Sequence, residues 1–308
     1  MLPFQLEFGR PSALMRIHSV VDRQFGVYLL QYDGVTFDNR YLPTSWQKDD
    51  RWHLAAYIYR GALSVGSQRF EEGDAFTAAT DTLAPSLNPQ EVVRTHGPSA
   101  ILALRLRPPF FNDTFRGYLT RLPNVKSLPW DELKTSVEDP AKNMDRLPAS
   151  FNRVIDGLRA EGVLDKTAPS PFSGSTGTGR VVSRIASTVF PTLSRLATRP
   201  TMVDLIARAQ LTERQLLRNL LRVQEDFELF DRGWRPAILR WRVTAGALLL
   251  SSPDVSLSEA ARLAGYSSVK AMARAFADSG LPSPSEVRER IGKDPVPTAP
   301  PTATESLL

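Results

Sequence analysis

The apolar residues of this chain change their spacing part-way along, and that change constrains the fold most. In residues 99–107 (SAILALRLR), Leu102, Leu104 and Leu106 share one side, the period of two expected for a half-buried strand. After about Trp130, apolar residues recur every three or four positions, as in amphipathic helices. We therefore expect an α+β chain whose first part is rich in strands and whose second part is helical.

A stretch dominated by Pro, Ser, Thr and Gly separates the two parts. Residues 166–179 (KTAPSPFSGSTGTG) have no apolar periodicity, which predicts a flexible linker. With 308 residues the chain is long enough for two domains. We place them at residues 1–165 and 180–292. The proline-rich, almost uncharged segment 293–308 is predicted to be a disordered tail.

Short strands separated by turn residues fill most of the first part, which favours a β-sandwich or a barrel. A helical pattern follows in residues 149–164, where one apolar stripe is formed by Phe151, Val154, Ile155 and Leu158. This stripe either covers the sheet of its own chain or pairs with the same helix of a second copy. The sequence leaves both alternatives open.

The net positive charge of the chain comes from the second part. Residues 1–179 hold 20 basic and 20 acidic residues, whereas residues 180–294 hold 18 basic and 12 acidic ones. The helical part is therefore expected to attract an anion such as DNA. The chain has no cysteine, which excludes disulfides, thiolate metal sites and a cysteine nucleophile.

Nothing in the sequence predicts a membrane or secreted protein. No uncharged apolar run approaches the roughly 18 residues of a membrane span, and the first residues lack the pattern of a secretory signal. A chain without cysteine suits a reducing compartment. We expect a cytoplasmic protein.

Two segments of the helical part share one plan. Residues 204–220 (DLIARAQLTERQLLRNL) and 259–276 (EAARLAGYSSVKAMARAF) each contain a short helix with alanines, a turn, a Thr or Ser able to cap, and a longer helix with basic residues. We expect Thr212 and Ser267 to cap the two longer helices. This plan predicts a helix-turn-helix unit, present twice.

The second helix of the first unit has one apolar and one basic, amide-rich side. At 100° per residue, the apolar side is predicted to hold Leu216, Leu217, Leu220 and Leu221. The other side holds the candidate DNA-binding residues Arg214, Gln215, Arg218, Asn219 and Arg222. Arg suits guanine in the major groove, and Gln or Asn suits adenine. An ordinary solvated helix face is the alternative.

The second helix of the second unit is sparser. Its apolar side is predicted to hold Val269, Met272, Ala273 and Phe276. The candidate DNA-binding residues are Ser268, Lys270 and Arg274, of which the two cations suit either bases or phosphates. We expect fewer base contacts here than from the first unit.

At these residues the chain resembles a known family. From about Val181 to Arg290 it is similar to the DNA-binding domain of AraC-type bacterial transcription regulators, in which one long helix joins two helix-turn-helix units. The matching positions are AARLAGYSS (260–268), Arg274, Phe276, Ser283, Pro284 and Arg288, with Ile238, Arg242, Leu249 and Leu250 in the linking helix. The chain departs from the family at Gln210, where glycine is usual. It also carries about six extra residues, partly acidic, between Leu220 and Ile238.

The resemblance implies a function and a set of partners. The first part then corresponds to a cupin-like barrel that senses an effector and dimerises. The implied function is a sequence-specific transcription regulator and not an enzyme, with no cofactor. The implied partners are double-stranded DNA, a small-molecule effector, a second copy of the chain and RNA polymerase. Two alternatives remain: a cupin-type enzyme with an accessory helical domain, or a relative that binds protein in place of DNA.

Ligand and metal sites are weakly marked. The histidines, His18, His53 and His96, stand singly, unlike the His-x-His pair of metal-binding cupins, so no metal is expected. Seven aromatic residues between Tyr32 and Tyr59 either line a pocket or belong to the core. Within this segment, Arg40 and Trp52 are the candidate ligand-binding residues.

Overall fold

The computed structural model describes residues 2–21, 25–41, 52–79, 92–116, 119–122, 125, 128–143, 145–166, 180–227 and 234–293. The predicted linker beyond residue 166 and the tail from residue 294 lie outside the described residues. So do residues 228–233, which belong to the longer, partly acidic segment between Leu220 and Ile238.

The strand-rich part forms one antiparallel sheet. Its strands are β1 (Leu2–Arg10), β2 (Ala13–Val21), β3 (Phe25–Asp33), β4 (His53–Val65), β5 (Gln68–Phe70), β6 (Ala75–Ala79), β7 (Val93–Leu106) and β8 (Leu119–Leu122). They lie in the order β1-β2-β3-β7-β4-β6-β8, and β5 pairs with β4. The long central strands β4 and β7 shift register around Arg60, so a bulge bends the middle of the sheet.

The prediction of a closed, cupin-like barrel is wrong for the described residues. The strand order begins at β1 and ends at β8, and no pairing joins those two ends. Helix α4 (Arg180–Leu193) packs against β1 instead, and the backbone N–H of Glu7 donates to Ser194 Oγ at 3.1 Å. Alternation in a sequence identifies strands and their faces, but closure depends on tilt and stagger, which alternation does not encode.

Three helices follow the sheet: α1 (Trp130–Glu138), α2 (Pro140–Asn143) and α3 (Leu147–Ala160). The apolar stripe of α3 packs into the core on one face of the sheet, where Phe151 lies 4.8 Å from Phe25 between ring centroids. Phe151, Val154 and Leu158 are fully buried. Of the two alternatives for this stripe, the structure has the helix cover the sheet of its own chain.

The second part is helical. After α4 come α5 (Met202–Ala209), α6 (Glu213–Phe227), α7 (Trp234–Leu250), α8 (Leu257–Leu263), α9 (Val269–Asp278) and α10 (Pro284–Lys293). Residues Val243 to Leu250 of α7 are all buried, because the helix has neighbours on several sides. It contacts α8, α9 and α10 as well as β1 and β2.

One apolar core runs from the sheet into the helical part. The rings of Phe8 and Trp241 stack at 5.5 Å between centroids. Polar contacts surround this core: Arg10 Nη1 lies 3.1 Å from Glu259 Oε1, and the backbone N–H of Thr36 donates to Ser251 Oγ at 2.6 Å. The sheet therefore holds α7 and α8 by both apolar and polar contacts.

Candidate nucleic-acid interface

Helices α5 and α6 pack together across a three-residue turn. Thr201 and Asp204 form a capping box at the start of α5, and these hydrogen bonds lower the pKa of the Asp204 carboxyl. The helix ends at Gln210, whose φ of 51° and ψ of 45° are left-handed. This is the position at which the sequence departs from AraC-type regulators, where glycine is usual. A residue with a Cβ atom pays about 1 kcal/mol for that conformation.

A second capping box starts α6. The backbone N–H of Thr212 donates to Gln215 Oε1 at 2.9 Å, and the backbone N–H of Gln215 donates to Thr212 Oγ1 at 3.3 Å. The prediction that Thr212 caps this helix is confirmed. Gln215 is exposed, but its carbonyl oxygen is occupied by the cap, so the NH₂ group is the part that remains to donate to a base.

The predicted faces of α6 are wrong by about 80° around the helix axis, a little less than a quarter of a turn. The buried side holds Leu216, Leu220 and Val223 together with Asn219, which is only 6% exposed, whereas Leu221 is 42% exposed. The inward face is centred on the spacing 216, 220 and 223, which leaves Leu221 on the outward side. Asn219 therefore does not lie on the exposed face, and the prediction that it contacts DNA is corrected. The helical angle of Leu221, about 140° from Leu216, was the signal for its exposure.

The outward side of α6 is basic. Arg214, Arg218 and Arg222 are all exposed. They lie at i, i+4 and i+8, so their side chains follow one another along the helix. Together with Gln215, they are the predicted DNA-binding residues of this helix that share one solvent-facing surface. We call this set the α6 cation row.

Helices α8 and α9 form the second pair. In the turn between them, Gly265 has a φ of 85°, and a Cβ atom there would lie 2.3 Å from the carbonyl oxygen of Leu196. Only glycine fits this approach. Ser268 caps α9, with its Oγ accepting from the backbone N–H of Ala271 at 3.1 Å, so the expectation that Ser267 is the cap is wrong. The Ser268 oxygen thus accepts a hydrogen bond inside the protein, and the O–H of this exposed residue remains able to donate to DNA.

The outward side of α9 carries fewer cations. Lys270 and Arg274 are exposed, whereas Met272 and Phe276 are fully buried. A Cβ atom on Gly246 of α7 would lie 3.2 Å from the Phe276 ring, so the linking helix and α9 are in close contact. The position of α9 is therefore fixed by the core, with its cations turned to solvent.

Residues that match the family in this region serve the packing. The Arg242 guanidinium is half-buried near Tyr266; burial lowers its pKa, and burial raises the pKa of Tyr266. Arg288 donates to the backbone carbonyl of Val255. Ser283 forms a capping box with Glu286 at the start of α10, which lowers the pKa of that carboxyl. These residues hold the helices in place.

The two candidate ligand-binding residues are engaged in the sheet part. Arg40 lies within the 3₁₀ helix Asn39–Tyr41, and its guanidinium pairs with the Asp38 carboxylate at 2.6 Å. Trp52 is 2% exposed, and its ring lies 4.1 Å from the guanidinium carbon of Arg105 and 3.9 Å from that of Arg107. A polar groove of about 660 Å³ lies between α1, α2 and α3, and neither residue lines it.

The aromatic and histidine side chains are packed singly or in pairs. Tyr57 stacks on Trp130 of α1 at 5.4 Å. His53 packs edge-on against Phe111 at 4.6 Å, and His96 Nε2 lies 2.7 Å from Ser64 Oγ. His18 is buried, which lowers its pKa. Within the described part of the chain, no three His, Asp or Glu residues are grouped so that they could hold a metal ion.

Across the described residues, none of the helices is long and apolar enough to cross a bilayer. The exposed cations of α6 and α9 lie on the second helix of each helix pair. An exposed row of arginines has geometry suited to polyanions, since each guanidinium donates in a fixed fork to phosphate or to guanine.

Comparisons with known proteins give distant likenesses. No family model and no curated protein matches the sequence. Among solved structures, the chain is similar to the AraC-like transcriptional activator CuxR, with 12% identity, 72% of this chain and 93% of that chain covered, and a TM-score of 0.36. It is also similar to ToxT from Vibrio cholerae O395, with 13% identity, 92% and 100% covered, and a TM-score of 0.32. At these TM-scores the likenesses establish neither fold nor function for this chain.

Proposed function

We propose that this chain is a sequence-specific, DNA-binding transcription regulator of the AraC type. In this proposal α6 and α9 each enter a major groove, and we call them the reading helices. The observation that carries the proposal is the exposure of five cations, Arg214, Arg218, Arg222, Lys270 and Arg274, on the second helices of two similar helix pairs. The opposite sides of both helices are buried in one core.

The two reading helices have different roles in the proposal. The α6 cation row offers three guanidinium groups and one amide, a set that suits recognition of base edges. Helix α9 offers Lys270 and Arg274, and its capping residue Ser268 adds one O–H donor. We assign α9 mainly to phosphates, which set the position of a protein on DNA without reading its sequence.

The arrangement of the sheet leaves both reading helices accessible. In the helical part, the sheet contacts α4 and α7, and its Arg10 pairs with Glu259 of α8, whereas the cations of α6 and α9 stay exposed while the sheet is docked. We therefore do not propose that the sheet regulates DNA binding by covering these cations within one chain. We propose instead that an effector or partner bound to the sheet part changes how the sheet holds α7 and α8, and through them the relative placement of the reading helices.

The further partners follow from the same role. We propose that the regulator works as a homodimer and contacts RNA polymerase, in the cytoplasm, where bacterial DNA lies. The apolar stripe of α3 is buried against its own sheet, so a second copy would use another surface. Light scattering of the purified chain with and without DNA measures the number of copies directly.

Selection from a genomic fragment library tests the proposal. Purified protein is mixed with fragments and competitor DNA at moderate salt, and the retained DNA is sequenced. We expect a recurring sequence element. Retention without a shared element, or no retention, would contradict sequence-specific binding. The variant Arg214→Ala/Arg218→Ala is the matched control, because it removes exposed side chains only, and it is expected to lose the element.

A further inference from the structure

One large apolar side chain stands among the cations of α6. In the described part of the chain, three large hydrophobic residues are markedly exposed: Val203, Leu221 and Leu239. Of these, Leu221 lies on a reading helix and is 42% exposed. A single exposed leucine is ordinary on a protein surface. Leu221 is different because it lies next to the arginines of the α6 cation row.

The geometry of the helix places Leu221 at the edge of that row. Leu221 is seven residues after Arg214, so the two differ by only about 20° around the helix axis. It is three residues after Arg218, about 4.5 Å further along the axis. Arg222, the next residue, is exposed as well. Any surface that Arg214 and Arg218 both approach therefore also meets Leu221.

When a leucine enters a major groove, one chemical group on the base edges can make a favourable apolar contact with it. The groove edges of the four base pairs present hydrogen-bond donors and acceptors, and thymine alone adds an apolar group, its 5-methyl. A polar base edge facing Leu221 would lose its water without gaining a partner, which is costly. A methyl group facing Leu221 gains from burial.

We infer that Leu221 contacts the 5-methyl group of a thymine and so selects an A·T pair at one position of the segment read by α6. The inference rests on the proposed function and deepens it. It assigns a specificity role to a residue that the pattern of leucines had placed in the core. Leu217, four residues earlier and half-buried, forms the inner border of the same apolar strip.

Replacing thymine by deoxyuridine tests this contact, because the two bases differ only by the methyl group. Each thymine of the selected element is replaced in turn, and the dissociation constant is measured for the wild-type chain and for Leu221→Ala. Burial of one methyl group is worth about a four-fold change in affinity. We expect the wild-type chain to lose about that factor at one thymine, and Leu221→Ala to bind the thymine and uracil duplexes equally.

A second leucine provides the control. Leu239 on α7 is 40% exposed, nearly the same as Leu221, but lies outside the reading helices. Leu239→Ala should keep the wild-type preference for thymine. A shared element with no uracil effect at any position, or with an effect that persists in Leu221→Ala, overturns the inference alone. Failure to recover any shared element overturns the proposed function and this inference together.

Discussion

Phe8 of β1 stacks on Trp241 of α7, with ring centroids 5.5 Å apart and ring planes inclined by 18°. Phe8 is buried, and Trp241 is half-buried. The two residues are far apart in sequence, and their contact joins the sheet to the helix that links the two reading helices. A stacked aromatic pair of this kind is worth about 0.5–1.5 kcal/mol beyond its buried area.

A double-mutant cycle on this pair measures how firmly the sheet holds α7. We expect Phe8→Ala and Trp241→Ala each to lower the free energy of unfolding, and the double variant to lose about 1 kcal/mol less than the sum of the two. Urea denaturation gives the four values. Strict additivity would show that the two rings do not interact in solution.

Removing the backbone strain at Gln210 should stabilise the first helix pair. Gln210 has a φ of 51°, which glycine adopts without strain. We expect Gln210→Gly to raise the free energy of unfolding by about 0.5–1 kcal/mol, since the relief of strain exceeds the added entropy of the unfolded chain. Gln210→Ala is the control, because it keeps the strain and should give no gain. A loss of stability in the glycine variant would mean that Gln210 is not left-handed.

Two substitutions of Gln215 separate its capping role from contact with DNA. Glutamate at this position can keep both hydrogen bonds of the capping box, so Gln215→Glu should leave the stability unchanged. Its added negative charge should weaken DNA binding by about five-fold at low salt. Gln215→Ala should instead cost about 1 kcal/mol of stability. If Gln215→Glu binds DNA as well as the wild-type chain, Gln215 does not face the DNA.

The arginines of the two reading helices should differ in what they contribute. We expect Arg218→Ala to weaken binding to the selected element by about 1–3 kcal/mol and to affect non-specific binding less. Arg274→Ala should weaken both kinds of binding and lower the salt slope of log Kd by about one. Fluorescence anisotropy over a range of salt concentrations measures these effects.

Arg153 on α3, an exposed arginine outside both reading helices, provides the comparison. Arg153→Ala should change neither affinity nor slope. If Arg218→Ala loses the same factor of affinity for specific and for non-specific DNA, Arg218 does not recognise a base. An unchanged salt slope in Arg274→Ala would remove Arg274 from phosphate contact.

Local features of the chain could be predicted from the sequence. The strand around Leu104, the apolar stripe of α3 and the cap at Thr212 all depend on neighbouring residues, and the structure has them. The expectation of a half-buried strand is wrong, because Ile101 and Ala103 on the opposite face of β7 are buried as well. Helical spacing also identified Arg214 and Arg218 as exposed. These features need only the period of the local backbone and the chemistry of one turn.

Features that depend on distant parts of the chain were missed. Which side of α6 faces the core depends on the helices packed against it, and the sequence does not show those contacts. The prediction followed the leucines and therefore placed Asn219 and Leu221 on the wrong sides. The open sheet follows from α4 packing against β1, a contact between segments about 180 residues apart. The two arginines that lie against Trp52, Arg105 and Arg107, are likewise set by tertiary packing. No local pattern contains such information.

Methylation interference on the selected element tests most directly whether both reading helices enter major grooves. Guanine N7 lies in the major groove, so its methylation blocks an arginine contact there, and the added methyl group also obstructs a helix that lies in the groove without contacting that base. We expect interference at two separate groups of bases, with the group assigned to α6 disappearing in Arg214→Ala/Arg218→Ala. Interference at neither group, with the element still bound, would contradict major-groove recognition by these two helices.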